Sequence, residues 1–185
     1  DESFKTRAKA WNETLAPNAK VTTNHDIGFI MYCSYGNARR LLKTDAYDKL
    51  LVETAASLCE RFNPELGLIR SWGDVKEKQE FLVIPDNMMN LELLFWAAEH
   101  GGSPRLKDIA IRHAETTMKH HFRPDGSCYH VAVYNQRTGK FLCGKTHQGY
   151  SDNSMWSRGQ AWAIYGYTMV YRFTKDKRFL DQAQK

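Results

Sequence analysis

The chain has 185 residues, of which 42% are hydrophobic and 25% charged, enough apolar side chain to close a core and too little charge to stay disordered. A formal charge of +5 is scattered, with no basic block longer than Arg39 and Arg40, so charge does not favour nucleic acid as a partner. No apolar run approaches the roughly 18 residues of a membrane span, and the start DESFKTRAKAW lacks the basic-then-apolar order of a signal peptide; a soluble protein of one domain is expected, its export signal if any already removed.

A short helix is predicted around Phe4 to Leu15. His25 to Leu42 is apolar or aromatic at most positions, the pattern of a helix buried on nearly all sides. In Asp45 to Phe62 the apolar residues instead form one stripe, Tyr47, Leu50, Leu51, Thr54, Ala55, Leu58 and Cys59, at helical spacing. The first reads as an inner helix and the second as an outer one. The pair recurs as Asp86 to His100, rich in Met and Leu, followed by the amphipathic Ser103 to His121 with Leu106, Ile109, Ala110, His113, Ala114 and Thr117 in line. Between that pair and the next, SCYHVAVY and KFLCG around the turn NQRTG read as a β-hairpin, with Tyr134 facing Lys140 and Cys143 facing Val131. In that register Cys128 and Cys143 are too far apart to bridge, and all four cysteines read as free thiols. The third pair is the aromatic-rich Ser157 to Phe173 and a stripe that begins at Asp176 with Phe179, Leu180 and Ala183.

Repeated helical hairpins are the signature of a solenoid or a closed α/α toroid, because each pair can bury its inner face only against its neighbours. Three pairs make a curved wall, and the last stripe reaches Lys185 without a stop signal. The expectation is one domain over 1–185 that forms about the N-terminal half of a toroid, with the remainder after residue 185.

In a toroid the N-termini of the inner helices open on one mouth, where the polar and aromatic segments TTNHD, GLIRSWGD, VIPDNMMN, DGSCYH and KTHQGYSDNSMWSRGQAW would converge. Asp26 and Asp86 each stand at the start of an inner helix, sixty residues and one repeat apart. Either could simply cap its helix. As a pair across the mouth, two carboxylates would push one pKa up and leave a proton donor near neutral pH. Trp72, Trp156 and Trp162 lie in polar loops or at a helix start, where an indole can serve as a platform for a sugar ring rather than as core. Arg158, flanked by two of them, could take a substrate carboxylate in bidentate fashion. His130 and His147 read singly as hydrogen-bonded structural histidines, and His100, His113, His120 and His121 as residues of outer-helix ends or faces. No Cys/His zinc spacing, GxxxxGK[ST], HExxH or GxSxG is present, and neither metal nor cofactor is expected.

The segments NHDIGF, SWG, DNMMNLELLFWAA, DGSCYH and above all THQGYSDNSMWSRGQAWAIYG resemble glycoside hydrolase family 88, the unsaturated glucuronyl hydrolases, over most of the chain from about Asn24. The resemblance implies an all-α fold, an (α/α)6 barrel, with the β-hairpin as a small insertion. It implies a substrate released by polysaccharide lyases, a disaccharide or oligosaccharide with an unsaturated uronic acid at its non-reducing end. By motif, Asp86 resembles the general acid and base and Asp26 the second essential carboxylate; His25, Trp72, His130, His147, Gln148, Trp156, Arg158 and Trp162 resemble residues lining the subsite for the unsaturated sugar. The implied reaction is hydration of the C4=C5 vinyl ether, not displacement at an anomeric carbon, so the carboxylate-separation rule for retaining and inverting enzymes does not apply. The nearest alternatives are an unsaturated rhamnogalacturonyl hydrolase of the same fold and a non-catalytic α-solenoid that binds glycan or protein on its concave wall. Neither the source polysaccharide nor the oligomeric state is legible, and the periplasm is slightly favoured over the cytoplasm.

Overall fold

The computed structural model describes residues 1–77 and 80–185. Helix α1 (Glu2–Leu15) starts on Asp1, whose side chain accepts from the backbone N–H of Ser3. A 3-10 turn (Ala16–Lys20) leads to the first inner segment. That segment is not one helix: α2 (Ile27–Met31) passes through a π turn (Tyr32–Gly36) into α3 (Asn37–Leu42). The wide turn lets Tyr32 pack against Trp96 on one side while the Tyr35 hydroxyl donates to the carbonyl of Asn12 on α1 on the other. Burial on nearly all sides holds only at its start, with Ile27, Gly28, Met31 and Tyr35 buried and no residue of α3 buried.

The outer helix α4 (Asp48–Cys59) buries Leu51, Thr54, Ala55 and Leu58, four members of the predicted stripe. The second pair follows the same plan. In α5 (Asn87–Glu99) buried residues run all round the helix, whereas α6 (Arg105–His120) buries the single line Leu106, Ile109, Ala110, His113, Ala114 and Thr117. The third pair is α7 (Ser157–Thr174) and α8 (Lys177–Gln184), which starts on an Asp176 cap. Helix α5 is the hub, packing on α2 and α7 as inner neighbours and on α4 and α6 outside. Two glycines set that closeness. A Cβ on Gly28 would lie 2.5 Å from Asn90 Oδ1, and one on Gly166 2.4 Å from Met88 Cβ, so α2 and α7 approach α5 nearer than any side chain permits.

The sheet content exceeds the predicted hairpin. Strands β1 (Phe62–Asn63) and β2 (Leu68–Ile69) form a small ribbon, and β3 (Glu80–Val83) joins β4 (Val131–Asn135) and β5 (Phe141–Lys145) in an antiparallel sheet of order β3-β4-β5. The hairpin register also differs. Tyr134 pairs with Phe141 and Val133 with Cys143, with an irregularity between them. The reason lies in the turn: the Asn135 side chain accepts from the N–H groups of Arg137 and Thr138, and Gly139 at φ 69° closes onto the Asn135 carbonyl, which absorbs one more residue than a tight register allows. All four cysteines are free thiols. No helix is long and apolar enough to cross a membrane among the described residues.

Candidate active site

Asp26 and Asp86 occupy the positions just before α2 and α5, yet neither side chain bonds to its helix. Capping, the plainest reason for an Asp at such a position, is therefore absent at both. The Asp86 Oδ1 atom is sealed from solvent and has no hydrogen-bond partner among the described residues. Burial raises the Asp86 carboxyl to a pKa of about 6, and the charge of Asp26 adds to that lift; a hydrogen bond from its own backbone N–H and the guanidinium of Arg158 act against it. A carboxyl so placed keeps its proton far closer to neutrality than an exposed one.

Behind this pair stands a buried polar network. His25, 3% exposed, directs Nδ1 to Asn87 Oδ1 at 2.8 Å and Nε2 to Asp26 Oδ1 at 3.2 Å. Asn87 donates through Nδ2 to the Ile69 carbonyl and to Ser71 Oγ, and Asn90 accepts from the N–H of Phe29 while donating to Asn87 Oδ1. Burial pulls the His25 pKa down against the pull of Asp26. Thus the NHD and PDNMMN segments, far apart in sequence, meet through amides.

A second group forms the aromatic side of the mouth. The rings of His130 and Trp156 stack at 3.9 Å, Trp72 meets His147 edge-on at 5.2 Å, and the Arg158 guanidinium lies 4.6 Å from the centre of the Trp156 ring while donating to Gln148 Oε1. His147, Gln148 and Arg158 are exposed, Trp72 and Trp162 half-buried, Trp156 and His130 buried. Trp162 shares a face of α7 with Arg158, one turn further on. Of the residues predicted for the sugar subsite, His147, Gln148, Arg158 and Trp72 therefore present polar or aromatic surface to solvent. His25 and His130 lie beneath that surface with ring nitrogens already engaged: His130 Nδ1 accepts from the backbone N–H groups of both His147 and Gln148.

Several positions that matter for geometry escaped the motif reading. Arg61 is 2% exposed and donates to four carbonyls, those of Thr22, Arg70, Ser71 and Gly73, tying the strand before His25 to the segment that carries Trp72. Arg123 holds the Asp152 and Ser154 carbonyls, and Gln160 spans Cys128 N–H and the Gly126 carbonyl, fixing the loop ahead of α7. A lone Arg at a helix end gives no such sign in sequence. His113 and His121, read as residues of outer surfaces, are fully buried, because α6 turns that face toward the β2 and sheet side of the core. Among the described residues no set of three or more His, Cys, Asp or Glu is arranged to hold a metal ion.

Residues 7–185 match the Glycosyl Hydrolase Family 88, and the chain belongs to that family. It is 44% identical over its full length to an unsaturated glucuronyl hydrolase of Formosa agariphila, of which it covers 46%, and 38% identical over 157 residues to an unsaturated chondroitin disaccharide hydrolase of Streptococcus pyogenes, covering 85% of this chain and 39% of that protein. Among solved structures, it superposes on an unsaturated glucuronyl hydrolase specific for heparin with a TM-score of 0.93 at 48% identity, covering all of this chain and 49% of the other. The chain thus spans about half the length of the relatives it matches. Its three inner and outer helix pairs have the architecture of the (α/α)6 barrel found in such structures.

Proposed function

We propose that the protein containing this chain is a glycosidase that hydrates the C4=C5 double bond of an unsaturated uronic acid at the non-reducing end of a lyase-generated oligosaccharide. Asp86 is the general acid and base, and Asp26 its carboxylate partner. Protonated Asp86 delivers its proton to C4, and positive charge spreads over C5 and the ring oxygen. The Asp86 carboxylate then takes a proton from water as the water oxygen bonds to C5. The hemiketal opens by breaking the bond between C5 and the ring oxygen, giving a C5 ketone and a hemiacetal at C1, whose collapse releases the next sugar. Proton and water are the only reactants besides the sugar, so no metal or cofactor takes part. His147, Gln148, Arg158, Trp72, Trp156 and Trp162 form the subsite wall, with Arg158 for the uronate carboxylate and the indoles for the C–H face of the ring, while His25 and His130 complete the subsite from below.

One observation carries this reading: a non-capping Asp86 with a solvent-sealed, unpartnered oxygen and a pKa raised by burial stands beside an Arg and an indole. Further helix pairs after residue 185 complete the single-domain ring and place residues against the leaving sugar. Relatives named for heparin and for chondroitin disaccharides support an unsaturated glycosaminoglycan disaccharide as the substrate, and a periplasmic setting, with neither nucleic acid nor membrane as partner, suits that diet. The test is the full protein with an unsaturated glucuronyl disaccharide: ultraviolet absorbance of the conjugated double bond falls with wild type and stays constant with Asp86→Asn. Full activity of Asp86→Asn would sink the assignment, and binding of intact glycan without turnover by the wild type would favour the solenoid alternative.

A further inference from the structure

The amides around His25 fix more than its position. Phe29 N–H can only donate, so the Asn90 atom facing it at 2.9 Å is the oxygen. The Ile69 carbonyl can only accept, so the Asn87 atom facing it at 2.8 Å is the nitrogen. Both flips are thereby set by backbone groups. Asn87 Oδ1 then points at His25 Nδ1 at 2.8 Å, and two acceptors cannot meet at that distance; the hydrogen sits on Nδ1. The other contact of Asn90 Nδ2, to His25 Nδ1 at 3.5 Å, is the longer of its two, the Asn87 oxygen lying at 3.0 Å.

With Nδ1 protonated, a neutral His25 has a bare Nε2, and Nε2 lies 3.2 Å from Asp26 Oδ1. Two lone pairs would face each other there unless one proton lies between them. That proton sits either on Nε2, making imidazolium and carboxylate, or on Asp26, making imidazole and carboxylic acid. Both placements leave the His25–Asp26 unit without net charge. The remaining charged and titratable groups around it are the Arg61 guanidinium and His113 on the His25 side, and Asp86 with Arg158 on the Asp26 side.

We propose that Asn87 is a positioning residue acting through His25: by locking the Nδ1–H form it makes His25 and Asp26 a one-proton unit, so that Asp86 faces a neutral pair rather than a carboxylate. Asn87 is fully buried directly after Asp86 on α5, so the residue that sets the partner's charge is the sequence neighbour of the acid. In Asn87→Ala the Nδ1 hydrogen loses its acceptor and Asn90 Nδ2 is left to donate to Nδ1. The ring then moves its hydrogen to Nε2, which donates to an ionised Asp26 with no extra proton. The unit gains a negative charge, and Asp86 holds its proton more tightly.

The kinetic consequence rests on the proposed hydration reaction; the protonation state does not. The deciding measurement is nitrogen NMR of the full protein carrying 15N-histidine, without substrate, with the His25 signals assigned by their absence in His25→Gln. A hydrogen on His25 Nδ1 between about pH 6 and 8 is expected. A bare Nδ1 with the hydrogen on Nε2 alone would overturn the proposal even if the enzyme is fully active. For Asn87→Ala, the basic limb of kcat/KM moves up by about one pH unit, as expected for one added charge near Asp86. A uniform loss across pH, or an unmoved limb, refutes the positioning role. If that variant does not fold, the wild-type spectrum alone decides.

Discussion

His130 Nδ1 accepts two backbone N–H groups, those of His147 and Gln148, each at 3.0 Å. One ring nitrogen thereby anchors both residues of the turn that follows β5, while the other ring face stacks on Trp156. The neutral form with hydrogen on Nε2 is required, and burial accordingly lowers the His130 pKa to about 4. His130→Ala should cost about 1–3 kcal/mol of organisation in that turn, read as a fall of roughly tenfold or more in kcat/KM on an unsaturated disaccharide. His130→Asn, whose side-chain oxygen can accept one of the two hydrogens, should recover part of it. Equal loss in both variants would show that the imidazole acts on the sugar and not on the turn.

Asp86 gives a prediction with a definite sign. Its carboxyl rises from the ordinary 3.8 to about 6 on folding, with burial the first cause. A group raised in this way adds stability below its unfolded value and loses that contribution as pH rises through about 6. Asp86→Asn should therefore raise Tm at pH 7.5 and leave it nearly unchanged at pH 4, whatever the enzyme does. The same proton sets the basic limb of kcat/KM near pH 6 in the wild type. Identical Tm differences at both pH values would show an ordinary exposed carboxylate.

The helical plan was legible because inner and outer helices differ in how many faces they bury, and α5 beside α6 states that difference in side chains alone. The register of β4 and β5 was not, since one added residue in the Asn135 to Gly139 turn depends on side-chain bonding to the backbone that alternation cannot reveal. Asp26 and Asp86 were visible as a spaced pair, but a helix start suits a cap as well as an acid; only the absence of the capping bonds separates the two. His113 illustrates the opposite error. It lies on the apolar stripe of α6, and its Nδ1 accepts from Ile69 N–H, a contact from a segment forty-four residues away that no local pattern announces.

His113 and His121 make the fold sensitive to acid. Burial, the first cause at both, lowers each pKa to about 3. Their folded values lie below the unfolded value near 6.5, so the unfolded chain takes up protons first. Stability is full above about pH 6.5 and falls progressively as pH drops toward 3. His121→Phe, which keeps an aromatic ring without a titrating nitrogen, should flatten the fall in Tm between pH 6 and 4. The check is a set of thermal melts at those pH values; an unchanged slope would mean that His121 titrates freely in the folded protein.

Arg61 is the sharpest test of how the mouth is held. Its guanidinium has no carboxylate partner among the described residues and spends its donors on the Thr22, Arg70, Ser71 and Gly73 carbonyls. A planar fork reaches several acceptors at once, whereas an ammonium is a compact point donor on a flexible stem. Arg61→Lys keeps the charge and leaves at least one or two of these carbonyls without a donor, at about 1–3 kcal/mol for each buried group. The expected loss is about 2–4 kcal/mol of unfolding free energy in denaturant titration. Because Thr22 leads into His25 and Ser71 into Trp72, the same substitution should raise KM more than it lowers kcat. A stable Arg61→Lys protein with unaltered kinetics would show that charge alone, and not the fork, secures the two segments.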